Sequence, residues 1–229
     1  SVLGCFNEFR RDKWGPHELA ELAYQAERLY LRVSGGWQDQ YATVFGGFNF
    51  MEFKMDQNIV HPLRIHRDIL MELEENLVLC NTGTIHDSDD IHQDQREQMQ
   101  QVNIKKIVQS NVELCYRMRN ELLRGRLLKF EESLDEGWRA KKKLSSKITN
   151  KDLDKIYEGA KRSGAVGGKL LGAGGGGFFL FYVPAFNKHE LIEHLISKGL
   201  KLTPFRFEQD GVKSWTVREA KTKIGHEVP

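Results

Sequence analysis

The sequence predicts an α+β fold. Apolar residues recur at helical spacing through most of the 229-residue chain, and a few short aromatic or β-branched runs stand between these stretches as candidate antiparallel strands. The first helix is expected from Pro16, well placed as a first helical residue, to about Val33, with Leu19, Leu22, Ala23, Ala26, Leu29 and Tyr30 as its apolar face. Gly35-Gly36 stops it, and Gly46-Gly47 opens a strand over Phe48–Phe53. Leu77–Cys80 reads as a buried strand ending in Asn81-Thr-Gly-Thr84, and a polar stretch leads into one long helix from about Gln93 to Leu123, broken by Gly125. A further helix carries Leu127, Phe130, Leu134 and Trp138. The basic segment Arg139–Lys143 and a Ser145-Ser146 loop then lead to a helix over Asp152–Ser163 with Leu153, Ile156, Tyr157 and Ala160 on one face. Phe178–Val183 is a strand ended by Pro184, a helix follows near Lys188–Ser197, and Phe205–Val217 reads as a hairpin turned at Asp210-Gly211.

Length and composition bound the function. A chain of 229 residues can bury a sizeable core as one large domain or two small ones. Its 34 basic and 32 acidic side chains nearly cancel, to a net charge of +2, which argues against broad nucleic-acid or acidic-partner binding. No apolar run approaches the roughly 20 residues of a membrane span, and Ser1 opens into Val-Leu-Gly-Cys-Phe without the basic start of a signal peptide. Cys5, Cys80 and Cys115 are odd in number, lack C-x-x-C spacing and sit in apolar patterns. They read as buried free thiols of a reducing, cytoplasmic compartment.

The most informative stretch is Gly168-Lys-Leu-Leu-Gly172-Ala-Gly174-Gly175-Gly176-Gly177. Serial N–H groups without side chains can form an anion-binding concavity or brace one, which points toward phosphate chemistry. Two familiar motifs are excluded. Gly172, Gly174 and Gly177 fit G-x-G-x-x-G by letter, but a dinucleotide fingerprint needs a strand before the loop and a helix after it, and here the order is reversed. A P-loop would need Gly at 163 and Ser or Thr at 170, where the chain has Ser163 and Leu170. A plain helix-to-strand turn would use one or two glycines, not four in succession.

The string GGKLLGAGGGGFFLFYV resembles the third signature of the GHMP small-molecule kinases. In that family the glycine loop lies beside the loop that holds the ATP phosphates and supports it. The resemblance therefore implies nucleotide-related roles for Gly172, Gly174, Gly175 and Gly176, with ATP and Mg²⁺ as cofactors.

A second constellation stands far away, at Gly35-Gly-Trp-Gln-Asp-Gln-Tyr41 followed by Phe45-Gly-Gly-Phe-Asn49. Read from residues alone, Asp39 lies on a short linker pinned between a helix and a strand, a good place for a catalytic group, although a surface turn residue is the bland reading. The segment is similar to the one carrying the catalytic aspartate of GHMP sugar kinases that act on the anomeric hydroxyl. By that similarity Asp39 orients or deprotonates the sugar hydroxyl, and Gly36, Gln38, Tyr41 and Thr82 contact the substrate. Glu27, twelve residues before Asp39, falls close to the family's Mg²⁺-ligating glutamate; without the resemblance it is a solvated helix-face charge.

Local strings refine the likeness. Leu144-Ser-Ser-Lys-Ile-Thr-Asn150, GAVGGKLLGAGGGGFFLFYVP and Pro204-Phe-Arg-Phe-Glu208 look most like the D-glycero-D-manno-heptose 7-phosphate kinases of bacterial surface-polysaccharide precursor synthesis, while GGWQDQ is equally at home in L-fucokinases. The resemblance implies a two-lobed architecture, with 1–73 as the remainder of an N-terminal ATP and sugar domain and 74–229 as a complete C-terminal domain. The family's phosphate-binding Gly-Ser-Ser loop is expected immediately before Ser1, so that Ser1–Phe9 is the helix following it. By this reading the 229 residues alone are a poor catalyst. A decayed kinase fold retained as a sugar-binding module is the competing class; the intact Glu27, Asp39 and glycine run argue against it, since a binding module needs no general base.

Two charged segments complete the reading. After Thr82-Gly83 such kinases often carry an arginine, where this chain has His86. His86-Asp-Ser-Asp-Asp-Ile-His-Gln-Asp94 is rich in metal-ligand types but matches neither an EF-hand nor H-E-x-x-H, and acids ahead of a long helix suit its dipole. Lys141-Lys142-Lys143 is a candidate for holding a sugar phosphate, with a solvated basic face the commoner explanation of such a run.

Overall fold

A computed structural model describes residues 1–84, 88–98 and 101–217. The described residues pack into two compact units: a smaller one of residues 1–32, 36–47 and 208–217, and a larger one of residues 33–35 and those between 48 and 207. Among the described residues no helix is long and apolar enough to cross a membrane.

The smaller unit is helical. Helix α1 spans Val2–Arg10, and α2 spans Pro16–Gln25 with proline in its first turn. The Glu18 carboxylate accepts the Gly15 N–H at 2.8 Å, satisfying one otherwise orphaned donor. Instead of running unbroken to Val33, α2 passes into a π turn, Ala26–Tyr30, in which the Leu31 N–H donates to Ala26 O at 3.1 Å. The wider turn shifts the helical phase. Leu29 and Tyr30, expected on the apolar face, are 69% and 83% exposed, and Arg32 at φ 56° ends the helix before the glycines are reached. Helix α3 spans Gln38–Phe45.

The segment from Glu208 returns to this unit and does not form the expected hairpin. Gly47 N–H donates to Glu208 O at 3.0 Å and Val212 N–H to Val44 O at 3.1 Å. A Cβ on Gly211 would lie 1.9 Å from Val44 O. The glycine that suggested a hairpin turn serves close approach of two backbones instead.

The larger unit is built on an antiparallel four-stranded sheet. Strands β1 (Asn49–Phe53) and β2 (Asn58–Pro62) form a separate two-stranded ribbon; β3 (Leu77–Asn81), β4 (Gly167–Leu170), β5 (Phe178–Tyr182) and β6 (Lys201–Leu202) form the sheet, in the order β4-β5-β3-β6. Leu180 on β5 stands opposite Leu79 on one side and Lys169 on the other, and β6 joins the edge at Cys80 and Leu202. Helix α4 (Arg67–Asn76) precedes β3, α5 (Ser88–Gln98) and α6 (Val102–Leu123) follow it, and α7 (Leu127–Lys141), α8 (Lys151–Arg162) and α9 (Ala185–Ser197) complete the unit.

Strand alternation sorts the core into two clusters. Val78, Cys80, Phe179 and Phe181 pack with Trp138 of α7, Leu153, Tyr157 and Ala160 of α8, and Leu191 and Leu195 of α9. On the other side Leu77 and Tyr182 pack with Leu73, Leu122, Leu127 and Leu134. Trp138 meets Phe179 edge-on at 5.6 Å, a favoured aromatic arrangement. Asn150 caps α8 by accepting the N–H groups of Asp152 and Leu153 at 3.0 and 2.9 Å.

Three expectations are corrected here. The long helix from Gln93 is two helices: Gln101 is extended and its N–H closes on Gln98 O at 3.0 Å, in a polar stretch with no apolar stripe to hold a single rod against the core. Only Cys80 is a buried thiol, pushed up to about 11 by burial, whereas Cys5 and Cys115 are exposed. Around Cys5 the apolar side chains of α1 are themselves exposed, as at Phe6 and Phe9, so apolar neighbours did not guarantee burial. The lysine run is not a uniformly solvated face. Lys142 pairs with Asp154 at 3.1 Å, and Lys141 donates to backbone carbonyls of the glycine run. His86 lies outside the described residues; Asp90, on α5, accepts from Lys147 at 2.6 Å.

One buried acid is a stability determinant. Glu131 on α7 is fully buried beside the Tyr182 hydroxyl, and desolvation pushes its carboxyl up to about 7. The folded state thus holds a proton that the unfolded chain releases above about pH 4.5, so stability falls as pH rises from there to about 7 and then levels off. Glu131→Gln removes this dependence. Its melting temperature relative to the parent is expected to rise between pH 5 and pH 8, by an amount corresponding to about 1–3 kcal/mol; parallel melting curves for both proteins across that range would exclude Glu131 as the titrating group.

Candidate functional site

In the smaller unit the π turn and the start of α3 bring Glu27 and Asp39 onto one cavity of about 380 Å³, lined also by Gly4, Leu19, Gln40 and Thr43. Asp39 stands in the first turn of α3 rather than on the expected linker loop, since the helix begins at Gln38, directly after Trp37. The helix fixes its backbone, with Thr43 Oγ1 donating to Asp39 O at 2.8 Å, and an acid in a first helical turn is favoured by the helix dipole. Asp39 is exposed, and its carboxylate has no protein partner among the described residues.

Glu27 is held more tightly. Buried Gln40 donates from Nε2 to Glu27 Oε2 at 2.7 Å, and Arg28 Nη1 lies 3.6 Å from the same oxygen. Glu27 Oε1 is left without a protein partner among the described residues. Arg28 also donates to Gly36 O at 2.8 Å and lies over the Tyr24 ring, which stacks on Trp37 at 4.6 Å. These contacts hold the 36–37 segment against α2. Tyr41 is buried, and its hydroxyl donates to Glu21 at 2.5 Å. Gln38 and Gly36 are exposed.

In the larger unit the glycine run is the connection between antiparallel strands β4 and β5. It is gripped by backbone from two other segments. Gly175 N–H donates to Ile148 O at 2.8 Å and Gly177 N–H to Thr84 O at 3.2 Å, while Gly177 O accepts from Thr82 N–H at 2.8 Å and Thr82 Oγ1 at 2.9 Å. Thr82 therefore spends its hydroxyl proton on the run. Gly174 at φ 128° has Ile148 Cα 2.9 Å from where its Cβ would stand, and Gly176 has Thr84 O at 2.5 Å, so neither position has room for a side chain. Gly172, at φ 68°, faces open space. The N–H groups of Gly172, Ala173, Gly174 and Gly176 find no partner among the described residues. Such a row of backbone donors suits an anion or the loop that carries one.

Sequence reasoning missed Gln40, Thr84 and Ile148, and it weighed Lys141 for a sugar phosphate without foreseeing its bonds to the glycine run. Gln40 stood within the GGWQDQ string and Lys141 within the lysine run, but Thr84 and Ile148 act through backbone carbonyls, which leave no trace in residue type.

A row of unpaired amides and a carboxylate pair over a cavity are parts that phosphoryl transfer uses, since the protein's work there is positioning and charge neutralisation. The chain belongs to the GHMP kinases: residues 1–47 match the GHMP kinases N terminal domain and residues 118–199 the GHMP kinases C terminal family. Among curated relatives it is 37% identical, over 217 residues and 94% of its length, to D-glycero-alpha-D-manno-heptose 7-phosphate kinase of Campylobacter jejuni. It is 29% identical over 168 residues to the bifunctional fucokinase/GDP-fucose pyrophosphorylase of Arabidopsis thaliana, covering 71% of this chain and 16% of that protein. Its fold matches the crystal structure of a D-glycero-D-manno-heptose 1-phosphate kinase from Bacteroides thetaiotaomicron with a TM-score of 0.71 and 33% identity, covering 95% of this chain and 61% of that one. The chain spans 64% of the Campylobacter relative's length.

Proposed function

We propose that this chain is the larger part of an ATP-dependent sugar kinase that phosphorylates the anomeric hydroxyl of D-glycero-D-manno-heptose 7-phosphate in cytoplasmic synthesis of surface-polysaccharide precursors. The observation that carries the reading is the pairing of Asp39 and Glu27 on one cavity in a chain 37% identical to a heptose 7-phosphate kinase. Residues 1–73 would be the remainder of the ATP and sugar domain and 74–229 the C-terminal domain.

In this reading the sugar hydroxyl oxygen attacks the γ-phosphorus, a new O–P bond forms, the bond to the ADP oxygen breaks, and the hydroxyl proton passes to the Asp39 carboxylate. Asp39 suits this role because its backbone is fixed in a helical turn while its carboxylate oxygens are unclaimed by protein groups among the described residues. Glu27 suits a magnesium ligand: one oxygen is oriented by Gln40 and the other is open, and Mg²⁺ ordinarily takes one or two carboxylates together with phosphate oxygens. When bound, the ion would neutralise charge on the phosphates. Gly172, Gly174, Gly175 and Gly176 would brace the ATP-phosphate loop through their backbone. Gly36, Gln38, Tyr41 and Thr82 are proposed on the substrate side, with Tyr41 and Thr82 acting through the partners they already hold.

The test is ATP-dependent phosphorylation of a panel containing manno-heptose 7-phosphate, manno-heptose, L-fucose and galactose, using the chain extended upstream by a phosphate-binding segment. Transfer to the heptose phosphate alone is expected. Preferential transfer to L-fucose would move the assignment to the fucokinases, and sugar binding without transfer would favour the non-catalytic remnant.

A further inference from the structure

We propose that Lys141 is a positioning residue for the glycine run, its ammonium fixing the turn out of β4 so that the run's amides stand ready to brace the ATP-phosphate loop. The inference rests on the kinase reading above for its consequence, but not for its geometry.

The run has two halves that are anchored differently. Its distal half is held by backbone bonds from Gly175 to Ile148 and from Gly177 to Thr84. Its proximal half has a single backbone bond, from Leu171 N–H to Phe178 O at 2.9 Å. Beyond it Gly172 is exposed, sits in the left-handed region at φ 68° and touches nothing where a side chain would be. The other anchors there are side chains. Lys141 Nζ donates to Leu170 O at 3.1 Å and to Gly172 O at 2.5 Å, spanning the junction of strand and run, and Gln95 Nε2 approaches Ala173 O at 3.5 Å. Two N–H groups of one ammonium thus bind carbonyls two residues apart, which together with the Leu171 backbone bond fixes the turn from Leu170 to Gly172.

The surroundings argue that this is a dedicated use of the lysine. Lys141 lines a cavity of about 330 Å³ between α5, α6, α7 and the run, together with Lys169, Gln95, Cys115 and Ala173, and among the described residues no carboxylate lines it. The titratable groups facing the cavity are His92 on α5, Cys115 on α6 and Lys169 on β4. Burial, and then the Lys169 charge, hold the Lys141 ammonium down to about 8. Among the described residues the lysine is bound to the loop carbonyls and not to an acid. Below about pH 8 it is charged and its bonds are charge-assisted; above that pH the neutral amine donates more weakly.

The experiment compares Lys141→Met and Lys141→Arg with the parent in the same extended chain, reading KM for ATP, kcat, amide hydrogen exchange over residues 170–177 and melting temperature. For Lys141→Met, KM for ATP should rise about tenfold with a smaller change in kcat, and exchange in the run should accelerate about tenfold, the size expected for losing a charge-assisted pair of bonds. A merely structural loss would lower kcat and melting temperature at constant KM. Lys141→Arg should keep both within about twofold, and its KM should stay flat through pH 9 while the parent's rises above about pH 8, since a guanidinium stays charged. Unchanged KM and exchange in Lys141→Met, or Lys141→Arg as impaired as Lys141→Met, would overturn the proposal. If the parent transfers no phosphate at all, the kinase reading fails, and the exchange rates still decide whether Lys141 holds the run.

Discussion

Asp39→Asn is expected to lower kcat by about 10²–10⁴-fold, the range for removing a general base, the role proposed for this carboxylate. The substitution keeps the size and first-turn position of the side chain and breaks no bond that Asp39 makes to protein, so folding should change by no more than about 0.5 kcal/mol. Nucleotide affinity should be nearly unchanged, because the carboxylate is assigned to the sugar hydroxyl. Glu27→Gln separates the two acids: it should raise the magnesium concentration needed for half-maximal rate, while Asp39→Asn should not. Near-normal turnover by Asp39→Asn would remove the residue from the mechanism, leaving the cavity it shares with Glu27 as a binding feature only.

The second large effect is expected at Gly174. An alanine there meets Ile148 Cα at 2.9 Å and Ile148 O at 3.0 Å, both backbone atoms that cannot swing away, and must hold φ near 128°. Overpacking contributes about 1–3 kcal/mol, and a dihedral reserved for glycine about 1–3 kcal/mol more. Gly172→Ala supplies the internal control, since it has open space and bears only the left-handed conformation, at about 1–2 kcal/mol. Thermal unfolding of the two variants should therefore show Gly174→Ala clearly less stable. Equal melting temperatures would mean that the grip of Ile148 on the run is not a fixed contact. Gly176→Ala is expected to behave as Gly174→Ala does without the dihedral component, because Thr84 O stands 2.5 Å away.

Much of this was legible in the chain. Strands β3 and β5 declared themselves through Leu77-Val-Leu-Cys80 and Phe178-Phe-Leu-Phe-Tyr182, because a buried strand needs continuous apolar residues whichever neighbour it pairs with. The helix over 151–162 was equally plain from its spacing. The glycine run stood out for a related reason: an unusual backbone requirement can be met by few residue types, so it leaves a mark in composition, whereas GGWQDQ stood out through its resemblance to the family's segment. Strand β4 did not stand out, since its Gly-Gly-Lys-Leu carries no strand signal of its own and is a strand only because β5 pairs with it.

What only the tertiary structure decided are matters of phase and of backbone contact. The π turn at Ala26–Tyr30 moves Leu29 and Tyr30 off the predicted face, and helix α3 begins early enough to take Asp39 into its first turn. The Asp210-Gly211 pair marks a crossing against Val44, not a turn. Lys141 left the expected basic surface for two loop carbonyls, a choice set by distance across the fold that no local pattern records. Sequence by itself determined strands β3 and β5, the helix over 151–162 and the glycine run, and it singled out Asp39 and Glu27 as candidates, because burial and backbone freedom constrain residue type locally. The tertiary structure decided which carboxylates share a cavity and which carbonyls hold the glycine run, because those partners come from segments far apart in the chain and bind through groups every residue has.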